Sequence, residues 1–153
     1  MRSPINPTQL QIFSTVKTAL EEDIGTGDVT AQLISAATLA SAKIISREAA
    51  ILCGQAWANE TARQVDSQIS IQWLVNDGEA LVANQQAAIL QGPARSLLTA
   101  ERTILNFLQT LSATATKTRE LVDLVAHTSC VILDTRKTLP GLRLAQKYAV
   151  TVG

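Results

Sequence analysis

The chain has 153 residues, 46% hydrophobic, 17% charged and 3% aromatic, with 13 Lys plus Arg against 13 Asp plus Glu. That composition excludes a disordered chain, and zero net charge argues against general nucleic-acid binding. No apolar run reaches the roughly 18 residues of a membrane span, and the opening MRSPINPTQLQ has no apolar signal-peptide core. Cys53 and Cys130 form no CxxC pair, so both are expected to be reduced, mostly buried thiols of a cytoplasmic protein.

In chain order, Asn6-Pro7 reads as an N-cap followed by proline at the first helical position. Leu10, Phe13, Val16 and Leu20 then recur at helical spacing. This helix stops at the acidic stretch Glu21-Glu22-Asp23-Ile24-Gly25-Thr26-Gly27-Asp28. Its spacing fits no standard Ca²⁺ loop, so a capped turn is the better reading. Asp28 or Thr30 is expected to cap a short helical segment.

Residues 42–53 read as one strand or a bent pair, and Gln55 to Val65 as a helix with Trp57 as its core anchor. Ile69, Ile71, Trp73 and Val75 alternate as in a strand, and Asn76-Asp77-Gly78-Glu79 is a turn signal. Leu81-Val82 and Ala87 to Leu90 read as short strands around Asn84-Gln85-Gln86. The first part of the chain is thus expected to be an α+β sandwich.

After Gly92-Pro93, two helices are expected, about Ala94 to Leu111 and Thr116 to His127. On the first, Arg95, Arg102, Asn106 and Gln109 gather on a polar strip, while Glu101 falls in the apolar stripe and needs a partner if buried. Residues 1–92 carry five bases against nine acids, net −4; residues 93–153 carry eight against four, net +4. The basic half is a mild hint of an anionic ligand, but ordinary helix-surface charge is the better reading of this feature alone.

The chemistry-bearing stretch is Ser129 to Gly141, SCVILDTRKTLPG. Val131-Ile132-Leu133 reads as a strand buried on both faces, followed by a polar loop and a helical pattern from Leu142 to Val150. Ligands of parallel α/β folds bind at such strand ends. Two adjacent cations there are tolerable if an anion neutralises them, Arg136 offering a planar fork and Lys137 a point charge. The competing reading is a solvated loop with Asp134 paired locally to Arg136. No Ser-His-Asp or Cys-His arrangement is visible, and His127 reads as a surface or helix-end residue.

Several blocks resemble quinolinate phosphoribosyltransferase: Glu101-Arg102-Thr103-Ile104-Leu105-Asn106, the highly specific Asp134 to Arg143 (DTRKTLPGLR), and Lys147-Tyr148-Ala149-Val150. The acidic turn from Glu22 to Thr30 and Arg47-Glu48-Ala49 also resemble the family. The resemblance implies an N-terminal α/β sandwich followed by an α/β barrel, of which only the first strand-helix unit would be present. Residues 1–112 would form the sandwich with its long linking helix, and 113–153 the start of the truncated barrel.

The resemblance further implies transfer of phosphoribose from phosphoribosyl pyrophosphate to quinolinate with loss of CO₂, giving nicotinate mononucleotide and pyrophosphate for NAD biosynthesis. It implies Mg²⁺ in the complete enzyme, with its ligands missing from this chain, and a homodimer or larger assembly. Arg102 would reach into a partner's site to hold quinolinate, and Thr135, Arg136 and Lys137 would bind substrate carboxylate or phosphate. The chain alone is expected to be inactive. The alternatives are a non-catalytic dimerisation fragment and a related phosphoribosyltransferase with another substrate. The Asn76 to Val82 turn also resembles biotinyl and lipoyl carriers, but no lysine lies between Lys43 and Lys117 to carry the group.

Overall fold

A hydroxyl followed three residues later by glutamine is a helix-start signature, and it sets the beginning of the first helix. In the computed structural model, which describes residues 6–25, 27, 34–35 and 37–153, α1 spans Gln9–Ile24. Thr8 caps it: its Oγ1 accepts from the Gln11 N–H at 3.3 Å, and Gln11 Oε1 accepts from the Thr8 N–H at 2.8 Å. The helix therefore starts after Asn6-Pro7, because this reciprocal pair satisfies two otherwise orphaned donors. The buried face is Ile12, Val16 and Leu20. Leu10 is 74% exposed, and Phe13 lies at the surface with the Arg63 guanidinium 5.9 Å from its ring centre. Two apolar stripes satisfy the helical period, and the one facing Trp57 and Leu111 is buried. The expected cap at Asp28 or Thr30 lies outside the described residues.

Strands β1 (Leu39–Ile45), β3 (Ser70–Trp73) and β5 (Gln86–Pro93) form an antiparallel sheet in the order β1-β5-β3. Strands β2 (Ala50–Ile51) and β4 (Ala80–Leu81) form a second small pair. The run 42–53 is thus a bent pair whose halves join different sheets. Ser46 makes the corner, donating its N–H to Gln85 at 2.9 Å and accepting from the Asn84 N–H at 2.7 Å.

Helix α2 (Gln55–Val65) starts at Gly54, whose φ of 119° favours glycine. A Cβ there would also lie 3.3 Å from Leu111 Cδ1. Gly54 offers no side-chain cap, so a distant turn supplies one. The Asp77 carboxylate accepts from the Gly54 N–H at 3.1 Å and the Gln55 N–H at 3.2 Å, placing negative charge at a helix N-terminus.

The two helices expected after Pro93 are one, α3 (Ala94–Val125), 32 residues long. Its middle, Ser112-Ala113-Thr114-Ala115-Thr116, contains no breaker. Thr114, Thr116 and Thr118 donate their hydroxyls to carbonyls four residues back. Ser112 Oγ and Thr116 Oγ1 accept the N–H groups of Cys53 and Ile51 at 3.0 and 2.8 Å. The small hydroxyl run is therefore the surface on which β2 rests. Glu101 is exposed on this helix and needs no buried partner.

Two cores flank α2 and α3. One packs Leu52, Ala58, Ile69, Leu90, Leu97 and Ile104 under the main sheet; the other packs Val16, Trp57, Phe107, Leu111, Ala145 and Ala149 between the helices. The α+β sandwich is thus formed as expected. The buried strand expected at Val131–Leu133 is not formed: Val131 is 75% and Leu133 69% exposed. A doubly buried strand needs neighbours on both edges, and among the described residues none pairs with it. Helix α4 (Arg143–Val152) returns onto α3 so closely that a Cβ on Gly153 would lie 2.1 Å from the Ala115 carbonyl oxygen. Both cysteines are free; Cys53 is buried, whereas Cys130 is exposed because it lies in this uncovered segment.

Glu60 is buried between α1 and α2 and accepts from Arg63 at 2.6 and 2.9 Å, from Gln64 at 2.7 Å and from Gln9 at 3.1 Å. The Arg63 hydrogen bonds foremost hold its carboxyl below the usual carboxylate range, against the opposing effect of burial. A depressed folded pKa stabilises the fold above the unfolded value of about 4.3, and that stability is lost as pH falls through the folded value. Glu60→Gln is expected to cost about 1–2 kcal/mol at neutral pH and to make the acid limb of stability shallower. Denaturant melts from pH 7 to 2 check this; an unchanged acid limb refutes it.

Candidate substrate-binding site

The loop from Asp134 to Leu142 is tied down by α4. Asp134 pairs with Lys147, each side chain 17% exposed, and not with Arg136 as the solvated-loop reading expected. Thr135 Oγ1 accepts from the Lys137 N–H at 2.8 Å, closing a local turn. Arg143 Nε donates to Thr138 Oγ1 at 3.3 Å, and the Leu139 N–H donates to Gln146 Oε1 at 2.7 Å. Thr135, Arg136 and Lys137 are exposed on this anchored loop. An anion arriving there meets a backbone already ordered, which lowers the cost of binding.

The +4 half resolves into two groups of bases. Arg95 donates to the Ile34 carbonyl, Arg102 pairs with Asp23, Lys117 with Glu120, Arg119 donates to the Gly153 carbonyl at 2.7 Å, Arg143 bonds Thr138 and Lys147 bonds Asp134. Among the described residues, the side chains of Arg136 and Lys137 have neither a hydrogen bond nor an ion pair. Six of the eight bases are thus engaged in the fold, and the remaining two are neighbours on the anchored loop.

Arg102 lies elsewhere, on the exposed face of α3 at the end of α1. Its Nε donates to Asp23 Oδ1 at 3.0 Å and Oδ2 at 3.2 Å. A cleft of about 590 Å³ is lined by Asp23, Thr103 and Asn106 on one side and by Pro140, Gly141 and Leu142 on the other. A second, of about 450 Å³, runs between the start of α1 and residues 138–145, with Trp57 in its wall. The structure therefore brings Thr135, Arg136 and Lys137 together and sets Arg102 at the α1–α3 contact.

Sequence reasoning missed Asp77 and Tyr148. The Tyr148 hydroxyl donates to Asp77 Oδ2 at 2.9 Å, and its ring meets Trp57 at 5.5 Å. Burial first, and the Asp77 charge second, push the phenol up, so it stays protonated and donates. Burial likewise pushes the Cys53 thiol up and leaves it unreactive. The Asn76–Glu79 turn was legible as a turn, but an acid capping a helix 22 residues away leaves no local pattern. Among the described residues no group of three or more His, Cys, Asp or Glu side chains is placed to hold a metal ion.

Residues 28–112 match the family model described as the N-terminal domain of quinolinate phosphoribosyl transferase, and residues 114–153 match its C-terminal domain. The chain belongs to the quinolinate phosphoribosyltransferase family. It is 39% identical over 155 residues to a mitochondrial "quinolinate phosphoribosyltransferase [decarboxylating]" of Nicotiana tabacum, covering 100% of this chain and 43% of the relative. It is 42% identical over 132 residues to a "probable nicotinate-nucleotide pyrophosphorylase [carboxylating]" of Bacillus subtilis, covering 86% and 46%. The solved nicotinate-nucleotide pyrophosphorylase of Francisella tularensis superposes with a TM-score of 0.95 at 48% identity, covering 100% of this chain and 54% of that one. The chain thus spans about half the length of these relatives. The two matched domains of the phosphoribosyltransferase family meet inside α3, so one rigid helix joins them.

Replacing Asp77 removes the α2 cap and leaves the Tyr148 hydroxyl without its acceptor. Asp77→Ala is expected to lower stability by about 2 kcal/mol. Thermal unfolding measures the loss, and a melting temperature equal to that of the parent would refute the capping role.

Proposed function

We propose that the chain supplies the N-terminal half of an enzyme that joins quinolinate to the phosphoribosyl group of phosphoribosyl pyrophosphate, releasing pyrophosphate and CO₂ and giving nicotinate mononucleotide. The observation that carries this reading is the adjacent, unengaged pair Arg136 and Lys137 on an anchored loop, within the DTRKTLPGLR block that resembles the family. Quinolinate is a dianion, and the second substrate carries a monophosphate and a pyrophosphate, so their site needs fixed cations. The Arg136 fork suits a carboxylate, Lys137 suits a phosphate oxygen, and the Thr135 hydroxyl adds a polar contact. Arg102 holds a quinolinate carboxylate across a homodimer or larger assembly.

Glycosyl transfer passes through an oxocarbenium-like state, and positive side chains stabilise the charge that builds on the departing pyrophosphate. Carbon dioxide loss leaves electron density on the ring, which the pyridinium formed at the ring nitrogen accepts. Neither step calls for a nucleophilic side chain. The family resemblance implies Mg²⁺ in the complete enzyme. Among the described residues no three or more His, Cys, Asp or Glu side chains gather to fit it.

We place the remainder of the site in the part of the relatives that this chain does not span, so the 153-residue chain alone is expected to show no phosphoribosyl transfer. A cytoplasmic setting is supported by the two free thiols, and no helix among the described residues is long and apolar enough to cross a membrane. The test is steady-state kinetics of the complete protein. Arg136→Ala is expected to lower kcat/KM by 100-fold or more, the effect of removing a charge-stabilising donor, about 2.7–4 kcal/mol; a value within twofold of the parent refutes the site.

A second reading, a non-catalytic dimerisation fragment, draws on the exposed Leu124, Val131 and Leu133. Large exposed apolar surface promotes association. The isolated chain is expected to self-associate in light scattering at high concentration, and a clean monomer would count against it.

A further inference from the structure

Helix α1 ends in Glu21-Glu22-Asp23 and has no base in its last turn. Acids at a helix C-terminus oppose the macrodipole. Such a local conflict points to a tertiary or functional cause. Lys17 approaches Glu21 at 3.8 Å on the same helix. Asp23 instead faces α3, 79 residues away in sequence, and both of its oxygens accept from Arg102 Nε at 3.0 and 3.2 Å.

The Asp23 side chain is 22% and the Arg102 side chain 50% exposed. A pair this open adds little to stability. Its consequence is directional, because arginine carries many rotamers and this contact selects among them. The carboxylate is itself fixed, standing on a helix buried through Ile12, Val16 and Leu20. The same carboxylate lines the cleft shared by Thr103 and Asn106, the latter one turn beyond Arg102.

We infer that Asp23 is a positioning residue for Arg102, holding the inner edge of the guanidinium so that the side chain meets the substrate carboxylate in one orientation. This rests on the proposed role of Arg102 in holding quinolinate. It also gives the acidic end of α1 a purpose other than a cation site or a plain capped turn.

The test uses the complete protein with Asp23→Asn, Asp23→Glu, Arg102→Ala and the Asp23→Asn/Arg102→Ala double variant. Asp23→Asn is expected to raise the quinolinate KM about tenfold with kcat within about twofold of the parent, the signature of lost uniform binding. Asp23→Glu restores most of the affinity. In the double variant, Asp23→Asn adds nothing to the Arg102→Ala effect, because both changes remove one interaction. An unchanged KM in Asp23→Asn beside a raised KM in Arg102→Ala overturns the positioning role and leaves the functional reading standing. A lowered KM in Asp23→Asn overturns it too, since Asp23 would then compete with substrate for Arg102. A further rise in the double variant, or a fall in kcat that tracks a lowered melting temperature, assigns Asp23 a different role and overturns it. An unchanged KM in Arg102→Ala removes the parent reading, and the inference falls with it.

Discussion

Helix α3 carries the whole arrangement because it runs unbroken for 32 residues. At 1.5 Å per residue it is a rod of about 48 Å. One side of the rod buries Leu97, Ile104 and Leu108 under the main sheet, and another buries Phe107, Leu111 and Ala115 against α1 and α4. A kink in the middle would uncouple the two cores. The segment that could have broken, Ser112 to Thr116, is held straight by hydroxyls that bond back along the helix and also receive β2. Arg102 near one end and the packing of α4 near the other are thereby referred to the same rigid element.

Charge is distributed over this frame by engagement. Most bases of the second half fasten pieces together: Lys147 fixes the start of the loop through Asp134, Arg119 holds the end of α4, and Arg143 braces Thr138. A basic half is therefore a poor guide to a ligand until these ties are subtracted. The subtraction leaves Arg136 and Lys137, whose side chains make no hydrogen bond or ion pair among the described residues. Under the proposed function, an anion completes this adjacent pair.

The elements legible in the sequence were those specified by short-range chemistry. Helix α2 with Trp57, the alternation through β3, the Asn76–Glu79 turn and the DTRKTLPGLR block each carry their signal within a few residues. What was not legible depended on partners far along the chain. Asp77 looked like a turn residue because its role as the cap of α2 exists only once the turn folds back. Which stripe of α1 is buried was decided by Trp57 and Leu111. The two helices expected there are one, because the small hydroxyl residues between them stay helical and receive β2. Val131–Leu133 has the composition of a doubly buried strand, yet composition does not supply the neighbouring strands that burial requires.

That last segment shows how family membership and physical chemistry divide the explanation. The pattern VIL followed by DTRKT lies in the stretch that matches the family's C-terminal domain, and the relatives extend for about as many residues again. In the described structure the loop is nevertheless ordered, through Thr135, Leu139 and the Asp134–Lys147 pair, without any strand beside it. Loop order and strand burial are therefore separable properties. Helix α4 helps order the backbone of this loop, while further sheet neighbours would be needed to cover Val131 and Leu133. Ties between residues 134 and 147 help shape the DTRKTLPGLR block beside its own helix, and under the proposed function the sandwich contributes through α3 and Arg102.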